Sequence, residues 1–83
     1  MTTSTDLLTA ARAEALFTSD LSTTSHPTKA EVTTTIRRVI RTHGGSRGCA
    51  TMLAGEYGEH PETAAARMRW ALGVIHALYA KHA

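Results

Sequence analysis

Apolar and polar residues alternate along this chain with the period of an α-helix. The clearest stretch opens with the segment Thr28–Glu31, which has the sequence of a capping box, where a hydroxyl and a carboxylate each bond a free backbone N–H. The apolar residues that follow share one helical face: Val32, Ile36, Val39 and Ile40. Gly44 and Gly45 then predict the end of this helix, because glycine readily takes the left-handed conformation that terminates helices.

Three further helices are predicted from the same kind of pattern. One covers about residues 6–17 and precedes the helix that starts after Thr28. Another covers about residues 47–57, with Ser46 as its N-cap and Gly58 as its end. The last opens at Pro61 and continues to about Tyr79. We therefore expect an all-α domain of four helices.

The length of 83 residues allows one domain with one modest core. Such a domain buries only ~60% of the surface that its unfolded chain exposes, so association can add to its stability. Residues 1–27 comprise the first helix and a connector rich in serine and threonine, which is expected to be flexible. We expect these residues to attach more loosely than the helical core of residues 28–83.

The sequence predicts no enzyme, no cofactor and no metal site. It shows no nucleophile–base pair and no glycine-rich phosphate loop, and its five histidines lack metal-ligand spacing. Its one cysteine, Cys49, is interpreted as a small buried apolar residue. The N-terminus lacks the pattern of a secretory signal, and no stretch approaches the ~18 apolar residues of a membrane span. These features predict a cytoplasmic protein that does not enter a membrane.

The stretch from Arg47 to Leu72 has the order helix, turn, helix. Such a unit needs a small residue where its two helices pack closely and a residue such as glycine at the turn, and Ala54 and Gly58 have these types at suitable spacing. Apolar contacts before and after the turn would come from Leu53, Tyr57, Ala64 and Met68.

The segment Leu53–Gly58 followed by Pro61–Ala64 resembles the helix-turn-helix of bacterial transcription regulators and of sigma-factor promoter-reading regions, over about residues 47–72. The whole chain also resembles small actinobacterial proteins of unassigned function. Those regulators usually carry apolar residues where this chain has Glu59 and Arg67. The resemblance implies that the fourth helix enters the major groove of duplex DNA by its N-terminal end. The residues that would face the groove are His60, Glu62, Thr63 and Ala66.

Charge is distributed unevenly along the chain. Residues 1–27 carry one arginine against three acids, a net −2, whereas residues 28–83 carry eight Lys and Arg against four Glu, a net +4. Phosphate contacts are predicted for Arg37, Arg41, Arg47 and Arg69. The alternative is that these arginines pair with the glutamates of the same region or are simply solvated.

A second apolar stripe on the fourth helix offers a different function. Trp70, Val74 and Ala77 recur at helical spacing beside the main apolar face. The first helix either covers this stripe or leaves it exposed as an association surface with Trp70 as its anchor. The leading hypothesis is thus a DNA-binding helix-turn-helix module, as a monomer or a dimer. The alternative is a module that binds itself or another protein through the fourth helix.

Overall fold

The computed structural model describes the backbone of residues 3–79 and the side chains of residues 7–79. The helices are α1 (Thr3–Thr18), α2 (Lys29–Thr42), α3 (Ser46–Glu59) and α4 (Pro61–Tyr79). No strand occurs within the described residues, so the predicted all-α domain with four helices is confirmed. The third helix begins and ends close to its predicted bounds, and the first begins three residues before its predicted start at residue 6.

The core lies where α1 packs against each of the other three helices. Its largest fully buried side chains are Leu16, Val32, Cys49 and Ile75. Val32, Ile36 and Val39, which the sequence places on the apolar face of α2, are buried, and Ile75 of α4 is buried with them. Four others lie half-buried against its edge: Ile40, Leu53, Met68 and Leu72. The helical faces assigned from the apolar pattern therefore have the correct phase.

The C-terminal half of α1 is part of the core. It contributes Ala13, Ala15, Leu16 and Phe17, all of them buried. We expected residues 1–27 to attach more loosely than the rest, and the depth of these four side chains was not evident from a weakly amphipathic stretch. Alanines of this kind allow close helix packing, which a count of large apolar residues overlooks.

The connector between α1 and α2 forms local hydrogen bonds through its own hydroxyl groups. The Ser19 hydroxyl donates to the Leu16 carbonyl at 2.6 Å and accepts from the Leu21 N–H at 3.2 Å. The Ser22 hydroxyl accepts from the Thr24 N–H at 3.1 Å. Serine and threonine form such local turns readily, so the composition that suggested flexibility also provides turn-forming bonds.

The predicted ends of α2 are confirmed in atomic detail. At its start the Thr28 N–H donates to the Glu31 carboxylate at 2.8 Å, and the Thr28 hydroxyl accepts from the Glu31 N–H at 3.1 Å. At its end Gly44 and Gly45 have φ of 75° and 107°. Their N–H groups donate to the carbonyls of Arg41 and Ile40, at 3.3 and 2.7 Å, which is the bonding pattern of a Schellman motif.

The predicted N-cap of α3 is wrong by one residue, and its predicted C-terminal end is wrong by two. Its N-cap is Gly45, whose positive φ already turns the chain, and Ser46 stands inside the helix without capping it. At the other end α3 continues through Gly58 to Glu59, and the break falls at His60. The reason is Pro61, because a proline disfavours helical geometry in the residue before it. Gly58 keeps a negative φ and makes no turn.

Gly48 is required by the close approach of α3 to the end of α2. A Cβ atom at this position would overlap the backbone carbonyl of His43, and backbone cannot move aside as a side-chain tip can. Gly55, on the same helix, faces open space. The α2–α3 corner thus depends on a missing side chain as well as on the two left-handed glycines.

We expect Gly48→Ala to lower the free energy of unfolding by about 1–3 kcal/mol, because it overpacks the α2–α3 corner. Gly55→Ala is the matched control and should raise it by about 1 kcal/mol through helix propensity. Urea unfolding followed by circular dichroism measures both. A Gly48→Ala variant as stable as the wild type would contradict the close approach.

Candidate functional site

Arg67 of α4 fastens the C-terminal end of α1. Its Nε donates to the Phe17 carbonyl at 2.7 Å, and its Nη2 donates to the Ser19 carbonyl at 2.8 Å and the Leu16 carbonyl at 3.5 Å. The last carbonyls of a helix have no partner within the helix and carry the negative end of its dipole, so a cation is favourable there. Burial lowers the pKa of the Arg67 guanidinium, and the carboxylate of Asp20 partly opposes this effect.

The same guanidinium positions Trp70. Its central carbon lies 4.8 Å from the centroid of the Trp70 ring, in the geometry of a cation–π contact. It also lies 6.0 Å from the centroid of the Phe17 ring. One side chain therefore joins the end of α1 to an aromatic residue that would otherwise stand at the edge of the core.

Trp70 lines an open groove of about 460 Å³. One wall is the outer face of α4, where the groove is lined by Arg69, Trp70, Gly73, Val74, Ala77 and Leu78. The other wall is the connector just before α2, through Thr23, Ser25, His26 and Pro27. The structure thus brings the three predicted interface residues, Trp70, Val74 and Ala77, together on one wall of a concave surface.

The groove is apolar along its floor and basic at its edge. Trp70 and Val74 are half-buried, whereas Ala77 is exposed. Among the described residues that line it, Arg69 is the one permanent charge and His26 is the one titratable group, and none is acidic. A ligand with apolar side chains and a carboxylate beside them would match this surface in shape and in charge.

The first helix does not cover this stripe. No described residue of α1 lines the groove, because α1 packs on the core side of α4 and reaches the groove only through the bonds of its last carbonyls to Arg67. The connector, rather than α1, forms the wall of the groove opposite α4. Sequence reasoning missed the connector wall, since a polar segment of serine and threonine gave no apolar signal.

The residues predicted to face a DNA groove lie at the N-terminal end of α4. His60, Glu62 and Ala66 are exposed there. Thr63 is also exposed, but it borders a smaller cavity of about 180 Å³ together with Phe17 and Arg67.

The helix-turn-helix features take other positions than the resemblance implies. Ala54, the small residue expected at the helix contact, is exposed, and His60 alone separates α3 from α4. Three exposed carboxylates surround this corner, on Glu56, Glu59 and Glu62. Carboxylates at this corner would repel the phosphates of a bound duplex.

The four arginines predicted to contact phosphate are divided between two regions. Arg37 and Arg41 are exposed on the outer face of α2, and Arg47 is exposed in the first turn of α3. Arg69 lies on α4 at the groove, and α2 and α4 touch only weakly. Arg38, which neighbours this set, forms a surface ion pair with Asp20 at 3.4 Å.

Tyr79 joins three helices near the far end of the groove. Its ring lies between two cations, with the Arg12 guanidinium 4.0 Å and the Lys29 ammonium 5.0 Å from its centroid. Its hydroxyl hydrogen-bonds the Thr33 hydroxyl. No local pattern predicts these contacts, because their partners are distant in the sequence.

Cys49 is buried, as the sequence suggested. Burial raises the pKa of its thiol, the charge of Glu14 adds to the rise, and a bond with Thr18 partly opposes it. The described residues contain no cluster of three or more His, Cys, Asp or Glu side chains able to hold a metal ion. None of the described helices has the length and apolar character needed to cross a membrane.

The fold and the groove define an all-α four-helix domain with a concave apolar surface. Comparison of the chain with known protein families, with curated proteins and with solved structures finds no match. The function is therefore argued from the groove and the charges around it.

We expect Arg67→Ala to lower the free energy of unfolding by about 1.5–3 kcal/mol, the contribution of hydrogen bonds from a charged donor. Arg67→Lys should recover little, because one ammonium cannot match the fork of a guanidinium. Arg69→Ala, on the same helix, should change it by less than about 0.5 kcal/mol. Urea unfolding monitored by Trp70 fluorescence measures all three, and equal stability of Arg67→Ala and Arg69→Ala would refute this role.

Proposed function

We propose that this domain is a non-enzymatic protein-interaction module. Its working surface is the groove between α4 and the connector, and its ligand is a helix with an apolar face and a carboxylate beside that face. The proposal rests on one observation. Trp70, Val74 and Ala77 lie together on one concave wall, with Arg69 at its edge.

The groove has the properties of a helix-binding site. Amphipathic helices dock into apolar grooves through side chains spaced by one helical turn, and tryptophan is among the residues enriched at the energetic centres of protein interfaces. The ring of Trp70 is already held by the guanidinium of Arg67. A side chain that is ordered before binding loses less entropy when a partner arrives, which favours association.

Trp70 itself reports on occupancy, because it is the one tryptophan of the chain. The probe is a synthetic amphipathic helix with leucines along one face and glutamates beside them. Titration should shift or quench Trp70 emission as the groove fills. A second peptide with lysine in place of each glutamate should bind at least about tenfold more weakly, a difference of about 1.4 kcal/mol that the charge of Arg69 supplies.

Two variants separate the groove from the rest of the surface. Ala77→Glu places a carboxylate in the groove and should weaken binding of the acidic peptide at least about tenfold, since an unpaired charge is costly to bury. Ala50→Glu is the matched control, since Ala50 is an exposed alanine on α3 outside the groove. Equal binding by both variants, with helical content unchanged, would reject the groove as the site.

A second candidate function is binding of duplex DNA through the outer face of α2. Arg37 and Arg41 stand one turn apart on that face, and no ion pair joins either of them to an acid among the described residues. Arg47 follows at the start of α3. Phosphates would neutralise these three charges, while the acidic corner at the start of α4 would face away from the duplex.

If DNA binds in this way, affinity for a labelled random duplex should fall with salt at a log–log slope of about −3, given three phosphate contacts. Arg41→Glu should weaken binding to all sequences alike, because a phosphate contact carries no base information. Arg69→Glu should leave it unchanged, which distinguishes α2 from the α4 site implied by the resemblance. Fluorescence anisotropy at low salt measures both, and the absence of binding at about 100 µM folded protein would remove this candidate.

A further inference from the structure

We infer that the groove receives the N-terminal turns of α1 from a second copy of the chain, inserted through Leu7 and Leu8. This inference rests on the proposed function, and it names the partner. Its basis is a pair of unmatched apolar surfaces on one molecule: the open groove at Trp70, and two leucines that are 66% and 50% exposed.

Leu8 lies on the same side of α1 as the buried residues, but beyond the part of α1 that α4 covers. It lies seven residues before Ala15, which puts the two on one helical stripe, and Ala15 is only 1% exposed. The contact with α4 ends there because the two helices run antiparallel. Phe17 of α1 contacts Arg67 near the start of α4, and Arg12 contacts Tyr79, the last residue of α4. The N-terminal part of α1 therefore extends beyond the described end of α4, and Leu7 and Leu8 are exposed there.

The projecting turns lie close to one end of the groove, the end formed by Leu78. Arg12 stacks on Tyr79, and Tyr79 directly follows Leu78, which lines the groove. A two-fold axis placed beyond this end would set the first turns of each α1 against the groove of the other copy. Such reciprocal exchange closes at two subunits, since each copy supplies one projection and one groove.

Charge also favours a second copy as the occupant. In the sequence, Asp6 directly precedes Leu7 and is the one charged residue before Arg12. The groove offers Arg69 and no acid among its lining residues. More broadly, the acidic residues 1–27 of one copy would approach the basic residues 28–83 of the other.

Exchange would also relieve a shortage of buried apolar area. A chain of 83 residues has little core relative to its surface, and each reciprocal contact removes two leucines and a tryptophan edge from water. The two contacts are identical by symmetry, so both form or both are lost together.

Sedimentation velocity of the full chain over a range of concentrations is the direct test. The 8.9 kDa chain should convert to a species of twice that mass as concentration rises. Leu8→Glu and Ala77→Glu should each abolish the conversion. Met52→Glu, which changes a 47% exposed apolar residue on α3, should leave it intact. A glutamate near the start of α1 suits the helix dipole, so loss of the dimer in Leu8→Glu would not reflect loss of the helix.

Mixing the two variants identifies the contact itself. A labelled Ala77→Glu chain carries an intact projection, and an unlabelled Leu8→Glu chain carries an intact groove. Their mixture should associate at least about tenfold more tightly than either variant alone, because one of the two contacts is restored.

Three outcomes would overturn the inference: a wild type that stays monomeric at about 1 mM, a Leu8→Glu variant that dimerises as the wild type does, or a mixture without rescue. A monomeric wild type that still binds the acidic helical peptide would retain the groove as a site and reject the second copy as its occupant. A wild-type dimer that forms without any change in Trp70 emission would place the interface elsewhere and reject the second copy as the occupant of the groove.

Discussion

The structure depends on the contact of the Arg67 guanidinium with the last carbonyls of α1. Those carbonyls lie where the helix ends, at the negative end of its dipole. The guanidinium donates hydrogen bonds to them, and its positive charge is favourable there. With the end of α1 fixed, Leu16 and Phe17 stay in the core. The other side of the same guanidinium carries the ring of Trp70, so the fold and the groove share one side chain.

The first helix has two roles that divide along its length. Its C-terminal half supplies buried side chains to the core, through Ala13, Ala15 and Leu16, while its N-terminal turns present Leu7 and Leu8 to solvent. A small chain cannot bury all of its apolar surface within itself. Here Leu7 and Leu8 are exposed on α1, Met52 and Tyr57 are exposed on α3, and Trp70 lines an open groove.

The charges fall into separate regions of the surface. The outer face of α2 is basic through Arg37 and Arg41, whereas the α3–α4 corner is acidic through Glu56, Glu59 and Glu62. The helix-turn-helix resemblance would bring this acidic corner to DNA, which its charge opposes. The groove at Trp70 combines apolar side chains with Arg69 and has no acid among its lining residues, which is the basis of the proposed protein-interaction function.

Sequence reasoning on its own determined the helices and the faces they bury, because capping boxes, glycine stops and apolar spacing act within one or two turns. It also placed Trp70, Val74 and Ala77 on one stripe. It could not determine what lies opposite that stripe, since the connector wall is polar and local composition suggested flexibility. The contacts of Arg67 with α1, of Tyr79 with Arg12 and Lys29, and of Gly48 with His43 were decided by tertiary structure. These depend on how close the backbones approach, a distance that packing of the whole chain sets and that no short segment encodes.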